Sequence, residues 1–389
     1  MKIAVIGSKG LPPRQGGIEH YCAEVYPRMV AQGHQVDLFA RSSWIHLPWY
    51  QSCRFHGVQV ISLPCPGKRG LDGLISSSLG AIACLGKRYD IIHFHALGPS
   101  LFCWLPRMAA SAKVVVSCHG LDWQREKWGN CSSCLIWLGE QVAIRCSDQI
   151  IVVSEALVDY FQDTYAVEAI NIPNGPASYW QSDPTFSFVK LLGLEPQKYL
   201  LFLGRLVPEK CPDLLIQAFQ RLTSTGWKLA IVGGQSDAPA YQMNLFKLAA
   251  ANPNIIFAGE LKERYLAEIV RGAGLFILPS NLEGLPLAML EAMQEGIPVV
   301  ASDIPPHRQL IGMNRGRLFH AGDLESCIQM IDWAIQHSKE MKKMAQKAQE
   351  HVQTWYGWDG ITAATLRTYE SLLCPPRSKV KPATELIQR

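Results

Sequence analysis

Two glutamates, Glu283 and Glu291, stand eight positions apart in the stretch NLEGLPLAMLEAM, residues 281–293. The residues just before them, GAGLFILPS, are typical of a buried strand that ends in a turn. A helix running through both acids would turn Glu291 about 80° beyond two full turns, so we expect the two carboxylates to serve different parts of a ligand. The alternative is a helix cap at Glu283 and a surface ion pair at Glu291.

Two cations, Arg205 and Lys210, occur in the stretch LGRLVPEK, after a predicted strand and before a helix predicted to begin near Pro212. A guanidinium can fork to two oxygens and an ammonium is a mobile point charge, so the pair suits a diphosphate at a helix N-terminus. The alternative is a solvated loop whose charges are incidental.

Two glycines, Gly16 and Gly17, directly precede a predicted helix in GSKGLPPRQGGIEHY. Without side chains they let a ligand approach the backbone closely, and a helix N-terminus offers free N–H groups to an anion such as phosphate. The loop matches neither GxGxxG nor GxxxxGK(S/T), which argues against a dinucleotide site and a P-loop. Turn formation alone would also explain both glycines.

A histidine, His119, opens the stretch HGLDWQREKWG at the end of another predicted strand. A neutral imidazole beside a glycine at the edge of a cleft can bond to a sugar hydroxyl or orient a carbonyl group. We expect Asp122 to cap the helix that follows. His93 and His95, in the stretch HFH, are expected to be structural.

The elements that must position these residues alternate between short apolar runs and helical stretches, such as KIAVIG, IEHYCAEVYPRMVAQG and QVDLFAR. This order predicts an α/β fold with doubly wound parallel sheets. Residues 169–186, rich in Pro, Asn, Gly and Ser, are predicted to link an N-terminal domain over 1–170 to a second α/β domain over 171–354. Ligands of such sheets bind beyond the carboxyl ends of the strands, so the two domains should face each other across a cleft.

Composition and charge narrow the possible partners. The chain has 389 residues, of which 48% are hydrophobic and 18% charged, and its net charge of +4 is too small to indicate nucleic acid. Residues 1–113 carry twelve Lys and Arg against five Asp and Glu, and RSSWIHLPWYQSCRF (41–55) mixes aromatic and basic side chains. We therefore expect peripheral contact between the N-terminal domain and an anionic membrane, with a plain basic surface as the alternative.

The cysteines indicate a reducing compartment. Twelve of them are scattered without a repeating framework, and the opening MKIAVIGSKG is expected to be a strand rather than a secretory signal, so we predict reduced thiols in the cytoplasm. Cys131 and Cys134 form a lone CxxC without the second pair typical of a zinc site, and we predict no bound metal. No stretch reaches the roughly 18 consecutive apolar residues of a membrane span.

Four stretches taken together, GGIEHYCAEVYPRMVAQGHQV, HG, GRLVPEK and NLEGLPLAMLEAMQEGIPVVAS, resemble the retaining glycosyltransferases of family four, which have the two-domain GT-B fold. The resemblance spans essentially the whole chain. SKGLPPRQGGIEHY and HGLDWQREKWG also resemble a bacterial subgroup associated with rhamnosyl or similar transfer in surface-polysaccharide assembly. In this fold the last helix crosses back onto the first domain, which implies that position for about residues 355–375, followed by a flexible tail over 376–389.

The resemblance implies that the donor is a nucleoside-diphosphate sugar whose phosphates contact both domains. Arg205 and Lys210 would hold the diphosphate, and Gly16 and Gly17 would bring backbone N–H groups to the phosphates. Preorganised cations and N–H dipoles can stabilise the charge on a departing nucleoside diphosphate without a metal ion or cofactor.

The remaining residues are implied to surround the sugar and the ribose. Glu283, with the backbone of Gly284 and Leu285, would face the donor sugar and phosphate, Glu291 would bond to the ribose, and His119 would lie beside the sugar. The resemblance also implies front-face displacement with retention, in which the leaving phosphate helps to deprotonate a glycan or lipid-linked acceptor. Two other functions stay open at this point: a nucleotide-sugar epimerase of the same fold, and a non-catalytic module that binds sugar or lipid.

Overall fold

The computed structural model describes residues 1–14, 16–67, 71–124, 129–179, 181–222, 226–234 and 238–374. The predicted tail over 376–389 lies outside these residues. The described chain contains two separate β-sheets, each covered by helices, and both sheets are dominated by parallel strands. The prediction of an α/β fold with two doubly wound sheets is therefore confirmed.

The first sheet has eight strands in the order β3-β4-β2-β1-β5-β6-β7-β8, and only the edge strand β3 runs antiparallel to its neighbour. Its strands are β1 (Lys2–Ile6), β2 (Gln35–Arg41), β3 (Ser52–Phe55), β4 (Val58–Leu63), β5 (Ile91–His95), β6 (Lys113–Cys118), β7 (Gln149–Val152) and β8 (Ile170–Asn171). The central strands are buried along nearly their whole length, because helices cover both of their faces.

The second sheet has six parallel strands in the order β11-β10-β9-β12-β13-β14. Its strands are β9 (Tyr199–Leu203), β10 (Lys228–Val232), β11 (Ile255–Gly259), β12 (Leu275–Leu278), β13 (Val299–Ser302) and β14 (Arg317–Phe319). The predicted linker over 169–186 begins too early, because Ile170 and Asn171 pair with β7 as the last strand of the first sheet. A two-residue strand is too short to show a period in the sequence.

Sixteen helices connect and cover the strands of the described chain. In the first half they are α1 (Gly17–Ala31), α2 (Ser42–Ile45), α3 (Leu71–Leu85), α4 (Leu97–Ser100), α5 (Trp104–Ala109), α6 (Asn130–Cys146), α7 (Glu155–Tyr165) and α8 (Ser187–Leu191). In the second half they are α9 (Pro212–Arg221), α10 (Pro239–Ala249), α11 (Glu263–Arg271), α12 (Leu287–Gln294), α13 (Pro305–Ile311), α14 (Leu324–Gln336), α15 (Ser338–Trp355) and α16 (Trp358–Leu373). None of the described helices is both long enough and apolar enough to cross a bilayer.

Alternate residues of β1 show how the helices of the first domain are divided between its two faces. Ile3 and Val5 pack in a cluster with side chains of α1 and α16, whereas Ala4 and Ile6 pack with side chains of α3 and α6. The last helix, α16, thus lies against the first domain, and the Nε1–H group of Trp358 donates to the carbonyl of Pro176 at 3.0 Å.

Candidate active site

The second domain places an ion pair beyond the carboxyl end of its sheet. Strand β12 ends at Leu278 and helix α12 begins at Leu287, so Glu283 lies in the turn between them. Lys210 Nζ donates to Glu283 Oε1 at 2.6 Å, and Ser280 Oγ donates to the same oxygen at 2.8 Å. The two charged side chains are only 14% and 11% exposed, which makes this a largely desolvated pair.

The ion pair fixes the charge of Glu283. Burial alone would raise the pKa of Glu283, but the Lys210 ammonium and the hydrogen bonds from Lys210 and Ser280 hold that pKa below its ordinary value. The carboxylate is therefore ionised at neutral pH. A phosphate that binds Lys210 must share the ammonium with Glu283 or displace the carboxylate.

The second cation, Arg205, faces another acid. Its guanidinium Nη2 lies 3.7 Å from Oε1 of Glu209, which belongs to the single 3₁₀ turn Pro208–Lys210. The Glu209 side chain is 8% exposed, and its oxygens make no hydrogen bond to another described residue, whereas the Arg205 side chain is 42% exposed. The structure thus keeps Arg205 accessible while Lys210 is enclosed.

The second predicted acid, Glu291, lies inside α12 and has different surroundings from Glu283. Its Oε2 accepts a hydrogen bond from the Tyr179 hydroxyl at 2.8 Å, and the carboxylate also accepts from the backbone of Ala177. Burial outweighs these two hydrogen bonds and raises the pKa of Glu291 to about 7. Glu291 therefore binds the segment that joins the domains, and its charge changes near neutral pH.

In the first domain, a carboxylate already lies at the helix start that was predicted to bind phosphate. Helix α1 begins at Gly17, and Gly16 has a φ of +104°, which favours glycine. Glu19, in the first turn, is 3% exposed and accepts a hydrogen bond from the backbone N–H of Lys9 at 2.9 Å. A phosphate brought to Gly16 and Gly17 would meet this buried acid as well as the free N–H groups of the helix.

A chain of hydrogen bonds runs from His119 into the core of the first domain. His119 Nε2 lies 3.1 Å from His95 Nδ1, and His95 Nε2 lies 2.6 Å from the Tyr26 hydroxyl. The Tyr26 hydroxyl lies 3.1 Å from His93 Nδ1, which is also 2.6 Å from the Tyr369 hydroxyl on α16. We call these five residues the histidine relay. It links the cleft edge to the last helix of the chain.

The direction of the relay follows from Asn174 at its open end. The amide nitrogen of Asn174 lies 3.4 Å from His119 Nδ1, so this ring nitrogen accepts and the ring proton is on Nε2. His119 then donates to His95, which in turn donates to the Tyr26 oxygen. Asn174 is 4% exposed, and its Oδ1 atom makes no hydrogen bond to another described residue.

All three histidines of the relay are neutral at physiological pH. Burial lowers the pKa of His119 to about 4, even though Asp122 opposes this shift, and burial lowers the pKa of His93 to about 3. The pKa of His95 is lowered in the same direction by burial and by its two histidine neighbours. His93 and His95 are fully buried, and sequence analysis did not anticipate the hydrogen bonds that connect them to His119.

The two domains touch each other through glycines. A Cβ atom on Gly284 would lie 2.3 Å from the carbonyl oxygen of His119, and one on Gly17 would lie 2.9 Å from Cδ1 of Leu287. Gly284 and Leu285 are buried at this contact, between the turn of Glu283 and the strand end of His119. The structure therefore brings His119 of the first domain opposite the turn of Glu283 in the second, and Lys210 is hydrogen-bonded to Glu283.

Several residues at the site were not indicated by sequence reasoning. Tyr179 and Asn174 belong to the segment predicted to be a linker, and Ser280 looked like an ordinary turn residue. His307 is fully buried on α13 near Glu283, and its Nε2 atom has no hydrogen-bond partner among the described residues. The linker did contain a signal that could have identified Asn174 and Tyr179 as site residues. Its stretch PNGPASY combines polar and aromatic side chains between two domains that are expected to enclose a ligand.

The predicted CxxC pair lies at the start of α6. Cys131 and Cys134 are exposed on the first two turns of α6. Among the described residues, no three histidines, cysteines or acids come close enough together to hold a metal ion. Asp122 begins the 3₁₀ turn Asp122–Gln124 after His119, and residues 125–128 of the same stretch lie outside the described residues.

Comparison with known proteins assigns each domain. Residues 16–175 match the family model described as glycosyl transferase 4-like domain, and residues 185–351 match the model described as glycosyl transferases group 1. An uncharacterised glycosyltransferase of Methanocaldococcus jannaschii is 23% identical to this chain, over 95% of this chain and 98% of its own length.

Solved structures support the same fold. A sucrose-phosphate synthase of Thermosynechococcus elongatus superposes with a TM-score of 0.80 at 20% identity, covering 95% of this chain and 98% of its own. HepE of Anabaena, solved in complex with UDP-glucose, gives a TM-score of 0.78 at 18% identity, covering 95% and 100%. The GT-B fold is therefore confirmed, and with two family models that together match most of its length, the chain belongs to the group 1 glycosyltransferases.

Proposed function

We propose that this glycosyltransferase moves a hexose-type sugar, with retention of configuration, from a nucleoside-diphosphate sugar to a glycan or lipid-linked acceptor in cell-surface polysaccharide biosynthesis. The observation that carries the proposal is the meeting of His119 with the turn of Glu283 across the domain interface. Lys210 is hydrogen-bonded to that turn at 2.6 Å. A charged donor-side group and a neutral hydrogen-bonding group thus face the same small volume.

The second domain holds the donor in this proposal. Lys210 and Arg205 bind the diphosphate, with N–H groups of Gly16 and Gly17 as further phosphate contacts from the first domain, and Glu291 binds the ribose. Because two cations can stabilise the charge on the departing diphosphate, the reaction needs no metal ion or cofactor. HepE, which has the same fold, was solved with UDP-glucose, and this supports a uridine or similar nucleotide.

The bond changes occur on one face of the sugar. The bond from C1 to the diphosphate oxygen breaks, and a new bond forms from C1 to the acceptor hydroxyl oxygen on the same side. The acceptor proton passes to the departing phosphate oxygen, so charge and atoms balance without a separate base. Glu283, with the backbone of Gly284 and Leu285, faces the donor sugar and phosphate, and neutral His119 hydrogen-bonds the sugar.

The acceptor and the donor sugar are assigned from the sequence resemblance and the charge of the first domain. The resemblance to a rhamnosyl-type subgroup favours a deoxyhexose or a related hexose donor. The excess of cations over residues 1–113 favours an acceptor held at the anionic inner face of the cell membrane. The enzyme would then act in the cytoplasm as a peripheral protein.

The proposal is tested by incubating the enzyme with a panel of UDP-, dTDP- and GDP-sugars, with and without a lipid-linked glycan extract. We expect nucleoside diphosphate release to require the extract for one donor, and NMR of the product to show the anomeric configuration of the donor. Release that persists fully without acceptor indicates an epimerase or hydrolase instead. Inversion at the anomeric carbon contradicts retention, and loss of activity with EDTA contradicts metal independence.

A further inference from the structure

Helix α3 (Leu71–Leu85) presents the wrong face to solvent for a helix on a globular domain. Its inward side carries the small or polar residues Ser76, Ser77, Gly80, Ala81 and Cys84, all buried. Its outward side carries Leu71, Ile75, Ile82 and Leu85, which recur at three- to seven-residue spacing and are each more than a third exposed. A helix that only covered a core would show the opposite arrangement.

The neighbouring helices continue this apolar surface. Helices α3, α5 and α6 cover the same face of the first sheet, since their inner side chains share one cluster with Ala4 and Ile6 of β1. On the outer side, α5 exposes Trp104 and Met108, and α6 exposes Leu135, Trp137 and Leu138. Among the described residues, these three helices carry nine of the eighteen exposed large apolar side chains. Such concentration on one face marks an interaction surface rather than scattered exposure.

Cations line one edge of this surface. Each of the three helices ends in basic residues: Lys87 and Arg88 follow α3, Arg107 lies in the last turn of α5, and Arg145 lies in the last turn of α6. The chain reverses direction between each helix and the next parallel strand, so these helix ends lie together at the amino-terminal edge of the sheet. A groove of about 300 Å³ between the ends of α3 and α5 is lined by Lys87 and Arg88.

We infer that the outer face of α3, α5 and α6 docks on an anionic lipid bilayer, with its apolar side chains in the interfacial layer and its basic edge against lipid phosphates. A bilayer fits better than a second copy of the chain, because a second copy would bring the cations Arg88 and Arg145 against like charges. Lys87 and Arg107 add less charge to this edge, because they pair with Asp37 at 3.3 Å and with Asp148 at 2.8 Å. This inference rests on the proposed membrane-linked function, but it places the contact on α3, α5 and α6 rather than on residues 41–55. Trp49 and Tyr50 of that stretch are exposed, but they are not on these helices.

The docking face is joined to the site through α6. Glu140, fully buried on α6, accepts hydrogen bonds from Trp123 Nε1 at 3.1 Å and from the Tyr160 hydroxyl at 2.8 Å. Trp123 belongs to the 3₁₀ turn four residues after His119. Helix α6 therefore holds the turn that follows His119 through its buried side, while its exposed side carries the docking side chains.

Flotation with vesicles tests this inference. We compare full-length protein on vesicles of phosphatidylglycerol with phosphatidylcholine and on phosphatidylcholine alone. The test variant is Ile82→Glu/Met108→Glu, whose sites are 54% and 80% exposed, and the matched control is Leu191→Glu/Met313→Glu, whose sites are 83% and 97% exposed. We expect the wild type and the control to float with anionic vesicles, and the test variant to bind at least tenfold more weakly.

A second variant isolates the charges. Arg88→Gln/Arg145→Gln should weaken binding to anionic vesicles about fivefold for each cation, and raising the salt should reduce the difference from wild type. Absence of wild-type binding to anionic vesicles, or equal loss in test and control variants, overturns the inference. So does a wild-type dimer that the test variant converts to monomer, since the occupant would then be a second copy.

The same variants separate this inference from the proposed function. Donor turnover with a soluble acceptor should be unchanged in the Ile82→Glu/Met108→Glu protein, because both side chains point away from the cleft. If vesicle binding follows the expected pattern but no nucleotide sugar is consumed by any variant, the proposed function fails and the docking surface stands. If turnover is found without vesicle binding, the reverse holds.

Discussion

The two domains place different kinds of polar side chain at the cleft. The second domain contributes charges in pairs, Lys210 with Glu283 and Arg205 with Glu209, while the first domain contributes the neutral histidine relay that ends at His119. Charges act over distance and suit a diphosphate, whereas neutral imidazoles act through directed hydrogen bonds and suit sugar hydroxyls. Under the proposed function this difference is a division of labour, in which the second domain stabilises the leaving group and the first orients the sugar.

The largest expected effect comes from breaking the charged half. Glu283→Gln should lower kcat about 10²–10³-fold, because it removes an ionised group that, in the proposed function, faces the reacting sugar. The matched control is Glu295→Gln, which breaks the pair between Glu295 and Arg271, 2.7 Å apart and also partly buried. Steady-state kinetics with the identified donor measures both variants.

Thermal stability separates a structural role of the ion pair between Lys210 and Glu283 from a role in the reaction. Both single variants should lower Tm, because each removes the carboxylate that faces a partly buried cation. Adding Lys210→Met to Glu283→Gln should restore part of the Tm but none of the activity. A Glu283→Gln enzyme as active as the Glu295→Gln enzyme would show that Glu283 has only a structural role.

The next largest effect is expected from variants of the glycines at the contact between the two domains. Gly284→Ala places a Cβ against the backbone carbonyl of His119, which cannot move without shifting a strand end, so we expect kcat/KM to fall about 10²-fold. Gly17→Ala meets only the end of the Leu287 side chain and should cost much less. Gly360→Ala, whose added carbon lies within 4 Å of no atom outside its own stretch of helix, is the control. Equal kinetics for all three would mean that the domains do not need to approach this closely during turnover.

A smaller effect concerns the pH dependence of nucleotide binding, which should come from Glu291 in the second domain and not from the histidines of the first. The histidines of the relay stay neutral well below pH 7, whereas Glu291 has a pKa of about 7 in the folded protein and an ordinary value of 4.5. If the ribose binds ionised Glu291, lowering the pH from about 8 to about 6 should weaken uridine diphosphate binding roughly tenfold more in wild type than in Glu291→Gln. Calorimetric titration of both proteins across this range measures the difference.

The raised pKa of Glu291 also predicts how the free energy of unfolding changes with pH when no donor is bound. Because the folded pKa of Glu291 is raised, the folded state binds more protons than the unfolded state between about pH 4.5 and 7. Its contribution to the free energy of unfolding is therefore greatest below about pH 4.5 and is lost as the pH rises through about 7. The difference between wild type and Glu291→Gln in urea titrations should follow this curve; a constant difference would assign the pKa shift to another group.

The sequence was most informative about strand ends. Long apolar strands followed by glycine, histidine or charged residues made the two-domain α/β fold and the positions of Arg205, Lys210 and Glu283 predictable, because strand period and turn chemistry are local. The partners of those residues were not predictable. Pairing Lys210 with Glu283 requires knowing that β9 and β12 are neighbours in the sheet, although 73 residues separate the two side chains.

The relay was missed for a related reason. A buried histidine in a strand gives no sequence signal of its own, and His93 and His95 were assigned to structure on that ground. Their link to His119 depends on Tyr26 from α1 and Tyr369 from α16, which lies 276 residues from His93. The short strand β8 was missed because two residues carry no period. Long-range contacts, rather than local propensity, account for what the sequence left undetermined.

The smallest effects on kcat/KM are expected for variants of the histidine relay, and they should decrease with distance from His119. His95→Phe removes the atom that accepts from His119 Nε2, so His119 can rotate or change tautomer, and we expect kcat/KM to fall about tenfold. His95→Asn keeps a polar atom near the Nδ1 position and should recover part of this loss, which simple packing damage would not allow. Tyr369→Phe, at the far end, should stay within about twofold of wild type, since Tyr26 still occupies the position beside His93.

NMR of the histidine ring nitrogens gives the readout independent of turnover: the His119 tautomer should change in His95→Phe and persist in Tyr369→Phe. If Tyr369→Phe were as damaging as His95→Phe, or if the His119 tautomer were the same in all three variants, the relay would be a packing feature of the core, and His119 would be oriented by Asn174 alone.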